Sequence, residues 1–345
     1  MKMNTAKADR ARSLIVWLAG LPLIIGLLAV QAALLAAHAQ EPKLVRIIAN
    51  RSVSGVALWG IGPFAKDHGV RTEMDPAATN AEMQRAIQTG GVQVGSLGYQ
   101  SPAIMAEQNV TNVKVIAGTF IGGQNLVMRK GVDLRAWKEL EGKRIGMPPG
   151  SYVAILFILA AGENGVDVTK VKIINTTSVG PTELQALSSG DLDGLVMWTP
   201  VVDRAVVEGY AYYPSCCDIG STKPYGAGAQ VIGANIEFLK DRPTAVKFLK
   251  AFSEATEFYA KNPDKAVDVI SQYTGVGKPV LDEALKHSRW DYRVDVQAAE
   301  NIAKKGPAFG FTRADMSDKM RGYFELSLLS EATGKSVDYL SVLGP

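Results

Sequence analysis

The sequence predicts an α/β protein of two lobes, with a cleft between them and a helical C-terminal part. Three observations predict it. From residue 44 onward, short runs rich in Val and Ile alternate with helical patterns, the signature of an α/β fold. One module, helix–Gly–strand–Ser/Thr-Pro–helix, occurs twice: Glu82-Met83-Gln84 leads to Gly90, a strand and Ser101-Pro102, and Glu183-Leu184-Gln185 leads to Gly190, a strand and Thr199-Pro200. Any α/β protein repeats helix–strand units, but the matching Ser/Thr-Pro at both strand ends favours two lobes of similar plan. Third, from Pro243 onward the pattern is helical almost alone.

In chain order, apolar β-branched runs predict strands over 44–49, 70–74, 92–96, 113–117, 125–129, 144–147, 171–175, 194–198 and 229–234. Helical periodicity fills most gaps, over 80–89, 102–107, 152–163, 182–188 and 201–208. Beyond them come helices over 245–261, 265–273, 280–288 and 315–330. Pro243, Pro263 and Pro279 stand where a fixed φ and a missing N–H suit a first helical turn. The lobes are expected to part near Met128 and near 226–228, a glycine-rich stretch whose following strand returns the chain to the first lobe. That assigns 40–127 and 227–345 to lobe I and 128–226 to lobe II.

Residues 1–39 read as an export leader. Lys2, Lys7, Arg10 and Arg12 precede an uncharged run over 14–37, which ends in Ala37-His38-Ala39, a small-x-small cleavage site before Gln40. The run is also long enough to span a bilayer, so an uncleaved membrane anchor is the competing reading. Gly20, Pro22 and Gly26 within it, and the Ala-x-Ala ending, favour cleavage and a periplasmic product. No cysteine stands near the site, which excludes a lipoprotein anchor. Without the leader the formal charge of +3 disappears, since 33 basic and 33 acidic residues remain. A neutral chain that is 47% hydrophobic and 21% charged is neither disordered nor fibrous, and it carries no nucleic-acid footprint. The N-x-Ser/Thr triplets at Asn50, Asn109 and Asn175 are read as chance.

The usual signatures of catalysis and metal binding are missing. Beyond His38 of the leader, only His68 and His287 are present, and both read as surface histidines. There is no H-E-x-x-H, G-x-S-x-G or G-x-G-x-x-G. Gly334-Lys335-Ser336 resembles the end of a phosphate loop, but Leu329 stands where that loop needs glycine. No cofactor or metal is implied. Cys216-Cys217 is an oddity: export favours a disulfide, yet adjacent Cα atoms lie about 3.8 Å apart, below the usual lower limit of about 4.4 Å. Two free thiols, a redox-labile ring, a soft-metal site and a tight turn after Pro214 are all open readings.

Four strand ends could hold a ligand, because open α/β sheets bind where strands finish and helices begin. They are Leu97-Gly98-Tyr99-Gln100-Ser101-Pro102, Pro148-Pro149-Gly150-Ser151-Tyr152, Ser178-Val179-Gly180-Pro181-Thr182 and Trp198-Thr199-Pro200. Singly, each is more readily a turn, since Gly and Pro punctuate and Ser caps helices in any protein. Together, with Tyr99, Tyr152 and Trp198, they suggest donors for an anionic head and aromatics for the rest of a solute. The backbone N–H groups of 150–152 and 98–100 are the expected grip. Phe120 and Arg51, each just past a strand, complete the candidate lining, although an Arg at a strand end is more often merely solvated.

These residues carry a resemblance. The chain resembles the extracytoplasmic solute-binding proteins of ABC importers, in the group for nitrate, sulfonates, taurine and the pyrimidine precursor of thiamine. The matching lines are Ala86-Ile87-Gln88-Thr89-Gly90 through Ser96-Leu97-Gly98 and Ser101-Pro102; Trp137-Lys138-Glu139-Leu140-Glu141-Gly142-Lys143-Arg144-Ile145-Gly146 followed by Gly150-Ser151; and Ser189-Gly190-Asp191-Leu192-Asp193-Gly194. The resemblance implies a type II-like periplasmic binding fold, a ligand in the cleft with Gly98, Tyr99, Gly150, Ser151 and Tyr152 at matching positions, and a membrane ABC permease as partner. A monomer is expected. One departure stands out: sulfonate binders carry an acidic residue before the proline of Trp-x-Pro, and this chain has Thr199. Two other classes share the bilobal plan, a sensor that reports to a membrane kinase and an enzyme of the thiamine-pyrimidine-synthase type. The enzyme would bring a reactive histidine and a cysteine-rich segment, and no His lies near the listed strand ends.

Overall fold

In the computed structural model, the described residues are 42–77, 79–177, 180–219 and 228–343, and their strands form two sheets. In chain order these are β1 (Lys43–Asn50), β2 (Val70–Ala77), β3 (Val94–Gly98), β4 (Val113–Gly122), β5 (Gln124–Arg129) and β6 (Arg144–Met147). They continue with β7 (Lys172–Asn175), β8 (Gly194–Trp198), β9 (Ala211–Tyr212), β10 (Gly228–Asn235) and β11 (Ser288–Trp290). The first sheet runs β11-β4-β10-β3-β1-β2 and the second β7-β6-β8-β5-β9. β1 is parallel to β3 and β6 to both β7 and β8, while β10 is antiparallel to β3 and β4. Both sheets lie within one compact unit, Leu44–Pro345. The expected leader, its cleavage site, Ser178-Val179 and Gly226 lie outside the described residues.

Each sheet is built around a buried apolar cluster. The larger surrounds the first sheet and includes Ile47, Leu97, Ile116, Phe248 and Phe252. The second sheet is flanked by two smaller clusters, one with Met128, Ile145 and Phe157, the other with Leu187, Leu195 and Val202. The helix Tyr152–Glu163 is apolar on every side, a pattern that demands burial all round. Its Val153, Ala154 and Phe157 join a core of the second sheet, while Tyr152, Ile155, Leu156 and Leu159 join the core of the first. One helix therefore ties the two lobes together.

The two sequence stretches around 144 and 193 lock each other across β6 and β8. The Arg144 guanidinium donates to Asp193 at 2.7 Å and 3.2 Å, and to Gly190 O at 2.7 Å. The Arg144 backbone N–H also donates to Asp193, at 2.9 Å. That Arg144 contact holds the Asp193 carboxyl below its ordinary range. Because the folded pKa is depressed, the pair stabilises the fold above the ordinary aspartate value near 3.9 and ceases to as pH falls through the folded value. Asp193→Ala is expected to lower the melting temperature at pH 7 by a few degrees and to blunt its fall at acid pH. A thermal scan between about pH 2 and 7 that superimposes on wild type would remove this role.

Two expected helices are corrected. The one over 280–288 stops at Ala284, and Ser288–Trp290 instead pairs with β4 as an edge strand. Trp290 explains the change, since its indole N–H donates to Val53 O at 3.0 Å from a buried position. The helix over 315–330 is two pieces, a 3-10 stretch Ser317–Tyr323 and a helix Ser327–Thr333. Between them Phe324 is extended and bridges Val115, with Glu325 N–H donating to Val115 O at 2.8 Å. His68 and His287 are not simply solvated: His68 Nε2 lies 2.7 Å from Glu254 and His287 Nε2 3.7 Å from Glu283.

Candidate functional site

A cleft of about 340 Å³ lies where the two sheets face each other, lined by the carboxyl ends of β1, β3 and β8 and the turn after β6. That size suits a small molecule. The first lobe contributes Asn50, Ser52, Ser54 and Gly98, with Gln100, Phe120 and Gln230. The second contributes Gln124, Gly150, Ser151 and Tyr152, with Trp198 and Thr199. None of the described lining residues carries a charge.

The first-lobe wall is pre-ordered by its own hydrogen bonds. Register sets it: β10 places Gln230 opposite Gly98 on β3 and Phe120 on β4. The Gln230 side-chain oxygen then accepts from Ser54 at 2.6 Å and Ser96 at 2.8 Å. Ser52 Oγ has one proton for two neighbours, Ser54 Oγ at 2.6 Å and Asn50 Oδ1 at 3.0 Å. Asn80 receives the Gly98 N–H at 2.7 Å and donates to Ser101 Oγ at 2.8 Å. This last contact corrects one expectation: the Gly98 N–H already has a partner and is not free to grip an anion.

Two helices begin at the cleft. Thr79 caps the helix Asn80–Gln88 by accepting from Glu82 N–H at 3.1 Å, and Thr79 and Asn80 both line the cleft. Ser151 caps Tyr152–Glu163, accepting from Ala154 N–H at 3.3 Å and donating to Pro148 O at 2.7 Å. Gly150 precedes it at φ +67°, a left-handed conformation that suits glycine. Helix N-termini carry partial positive charge and favour anions.

Three buried polar atoms in the lining have no partner: Gln100 Oε1, Gln124 Oε1 and Tyr152 Oη. These residues are 9%, 6% and 7% exposed. A buried polar atom left unpaired costs about 1–3 kcal/mol, and all three of these belong to residues that line this one cavity. Burial pushes the Tyr152 pKa upward, and Asp295 adds to it, so the phenol stays protonated and can donate.

Beneath Thr199 lies a carboxylate. The Thr199 hydroxyl donates to Asp203 Oδ2, and Tyr213 Oη donates to Asp203 Oδ1 at 2.6 Å. Asp203 is fully buried; burial raises its pKa while the Thr199 and Tyr213 donors oppose the rise. Thr199 is itself 3% exposed and joined to Pro200 by a cis peptide bond.

Of the residues expected from sequence, Gly98, Gln100, Phe120, Gly150, Ser151, Tyr152, Trp198 and Thr199 line the cleft. Arg51, Tyr99 and Gly180 do not. Arg51 is exposed. Gly180 uses its N–H on Glu183, 3.0 Å away, at the start of the helix Pro181–Ser189. Tyr99 is turned into the core, where its hydroxyl donates to Asp295 O and accepts from Asp295 N–H, both at 2.6 Å, while its ring packs 5.9 Å from that of Tyr152. The Cys216–Cys217 pair is joined as a disulfide at a Cα separation of 3.8 Å. Cys217 borders a separate hollow of about 640 Å³ that also touches Tyr213 and His287. Among the described residues no group of three or more His, Cys, Asp or Glu could hold a metal.

Sequence reasoning missed Asn50, Ser52, Ser54, Asn80, Gln124 and Gln230. Ser52 and Ser54 directly follow β1, so the strand-end rule already covered them. Gln230 sits between Ala229 and Val231 in an otherwise apolar strand, and a polar residue there was the available signal.

The family model described as NMT1/THI5 like matches residues 63–266. The taurine-binding periplasmic protein of Escherichia coli (strain K12) is 29% identical over 204 residues, covering 58% of this chain and 61% of that protein. The match thus spans about three-fifths of that relative's length. Among solved structures, the periplasmic aliphatic sulphonate binding protein SsuA of Escherichia coli superposes with a TM-score of 0.70 at 15% identity, over 82% of this chain and 92% of that one. The desulfurization enzyme DszB superposes at 0.61 and 15% identity, over 85% and 99%. These likenesses show a periplasmic-binding fold that also carries an enzyme. No helix among the described residues is long and apolar enough to cross a membrane.

Proposed function

The chain belongs to the NMT1/THI5-like family, and from that premise we propose that it is the substrate-binding component of an ABC importer, closing two lobes around one small organic anion. The observation that carries the reading is an uncharged cleft of about 340 Å³ between the two sheets that two helix N-termini face. Helix ends and neutral donors suit a sulfonate or carboxylate without a buried cation. Phe120 and Trp198 pack on its body. In this reading the lobes part at the Gly122–Gly123 crossing rather than near Met128, because all of β5 pairs within the second sheet; lobe I then comprises 40–122 and 227–345 and lobe II 123–226, and the mature monomer starts at Gln40 in the periplasm and delivers its solute to a membrane permease. Arg51, Tyr99 and Gly180 act only indirectly.

The expected result is one solute per chain with a Kd in the micromolar range or tighter, about −8 kcal/mol, and a smaller radius of gyration when bound. Scattering that shows no compaction with a solute of proven affinity would refute the closing hinge. The enzyme reading draws on the fold shared with DszB. None of the described lining residues is His, Cys, Asp, Glu or Lys, the side chains that most often act as general base.

A further inference from the structure

A carboxamide carries an acceptor at one end and donors at the other, so whatever fixes one end decides what the other offers. Gln230 is fixed in this way. It stands in the central strand β10 between the buried residues Ala229 and Val231, yet is itself partly exposed. Its register partners Gly98 and Phe120 line the cleft with it. Gln230 Oε1 accepts from Ser54 at 2.6 Å and from Ser96 at 2.8 Å, which uses both of its lone pairs. Ser54 has given its single proton to Gln230, so Ser52 is the donor in the 2.6 Å Ser52–Ser54 pair. Ser52, Ser54 and Ser96 are 9%, 6% and 1% exposed, so little water reaches the set. Turning the carboxamide over would set its N–H groups against two hydroxyl protons, and Ser54 and Ser96 would each need a new acceptor. The polar end left over is Nε2, with two N–H donors, and it is not among the sealed, unpartnered atoms of the cleft wall.

Gln230 also meets a helix end. It lies opposite Gly98, whose N–H donates at 2.7 Å to Asn80, the first residue of the helix Asn80–Gln88. The partial positive charge of that N-terminus and the Gln230 donors thus fall at one strand end of the first lobe. No charged side chain lines the cleft there among the described residues. We infer that Gln230 is a specificity-determining residue: its Nε2 donates to the anionic group of the solute, and Ser54 and Ser96 are positioning residues that keep its oxygen turned away. This rests on the cleft being a site for organic anions. An N–H given to an anion makes a charge-assisted bond, whereas a carbonyl oxygen in the same place would repel it. Ser52, Ser54, Ser96 and Gln230 all belong to the first lobe, so the donor is in place before the lobes close, and no freedom is lost in arranging it.

The isosteric variant Gln230→Glu tests the assignment, because a carboxylate still accepts from Ser54 and Ser96 but offers no proton to the solute. Ethanesulfonate, 2-aminoethanesulfonate and benzenesulfonate are titrated calorimetrically, and the variants are compared on those that wild type binds. Gln230→Glu should weaken binding at least about a hundredfold at about pH 8, where an N–H donor is replaced by a negative charge. Acidification to about pH 5 should restore part of that loss, since burial and the bound anion raise the new carboxyl's pKa and the protonated form donates. A sulfonate keeps its charge over that range, so wild type should change little. Gln230→Met, close in shape but without N–H groups, should cost about tenfold. Melting curves of the empty variants show whether each is folded, and Gln230→Met decides if Gln230→Glu is not. Affinity of either folded variant within about twofold of wild type at about pH 8 overturns the assignment and leaves the anion site standing. A loss in Gln230→Glu that acid does not relieve also overturns it, as that marks a structural role only. If wild type binds none of the three below about 1 mM, the organic-anion reading falls and this assignment falls with it.

Discussion

Replacing Tyr152 with Phe is expected to weaken solute binding by about 1.5–3 kcal/mol, roughly ten- to 150-fold, without destabilising the empty protein. The two halves of that expectation have one cause. Tyr152 Oη is buried and unpartnered in the empty cleft, so the hydroxyl stabilises nothing there. Removing it leaves the ring in the first-sheet core, still packed near Tyr99. In the proposed complex the same hydroxyl would donate to a charged group, and such bonds are the stronger kind. The phenol's raised pKa keeps it protonated beyond its ordinary value of 10, so its contribution should be level across about pH 5–9. Tyr152→Ala would confuse the result, since it also opens a cavity in the core. Titration of Tyr152→Phe beside a urea melt separates the cases: unchanged affinity with lost stability would make Tyr152 a core residue only.

A second large effect is expected at the crossing between the sheets. β4 ends and β5 begins through Gly122 and Gly123, both left-handed, at φ +77° and +75°. A Cβ on Gly122 would press on the backbone oxygen of His287, just before β11 pairs with β4. One on Gly123 would come within 2.7 Å of the Phe120 ring and 2.9 Å of the Thr199 methyl. Gly122→Ala combines the cost of that backbone conformation with a clash that cannot rotate away. Together they amount to about 2–5 kcal/mol. Urea unfolding should show the loss. A midpoint equal to wild type would mean that the crossing tolerates a side chain and that its glycines serve another purpose.

The parts of the fold that the sequence revealed are those fixed by local chemistry. β6, β8 and the helix Tyr152–Glu163 fall where their runs predict, because Gly and Pro bound short β-branched stretches and Ser151 caps the helix. The same punctuation exposed three of the four strand-end turns at the cleft. What was hidden depends on contacts distant in sequence. Tyr99 and Tyr152 look equivalent in their turns, yet Tyr99 is claimed by the backbone of Asp295. Gln230 enters the site only through the register of β10. The helix expected over 315–330 breaks at Phe324 because Val115 offers its carbonyl there. Asp203, one turn beyond Thr199, carried no visible sign that it would sit under the cleft.

The position of β10 also fixes an order of events. It is a central strand of the first sheet, inserted between β3 and β4, yet it is made only after every strand of the second sheet. As the chain emerges from its N-terminus, β3 and β4 therefore wait with open edges, while β5 to β9 already hold all that their own sheet requires. Unpaired strand edges recruit other chains, and closing so long a loop is slow. The first sheet thus keeps open strand edges until β10 has been made. Under the proposed export in extended form, the same delay would leave the first sheet unfinished until Gly228–Asn235 has been made.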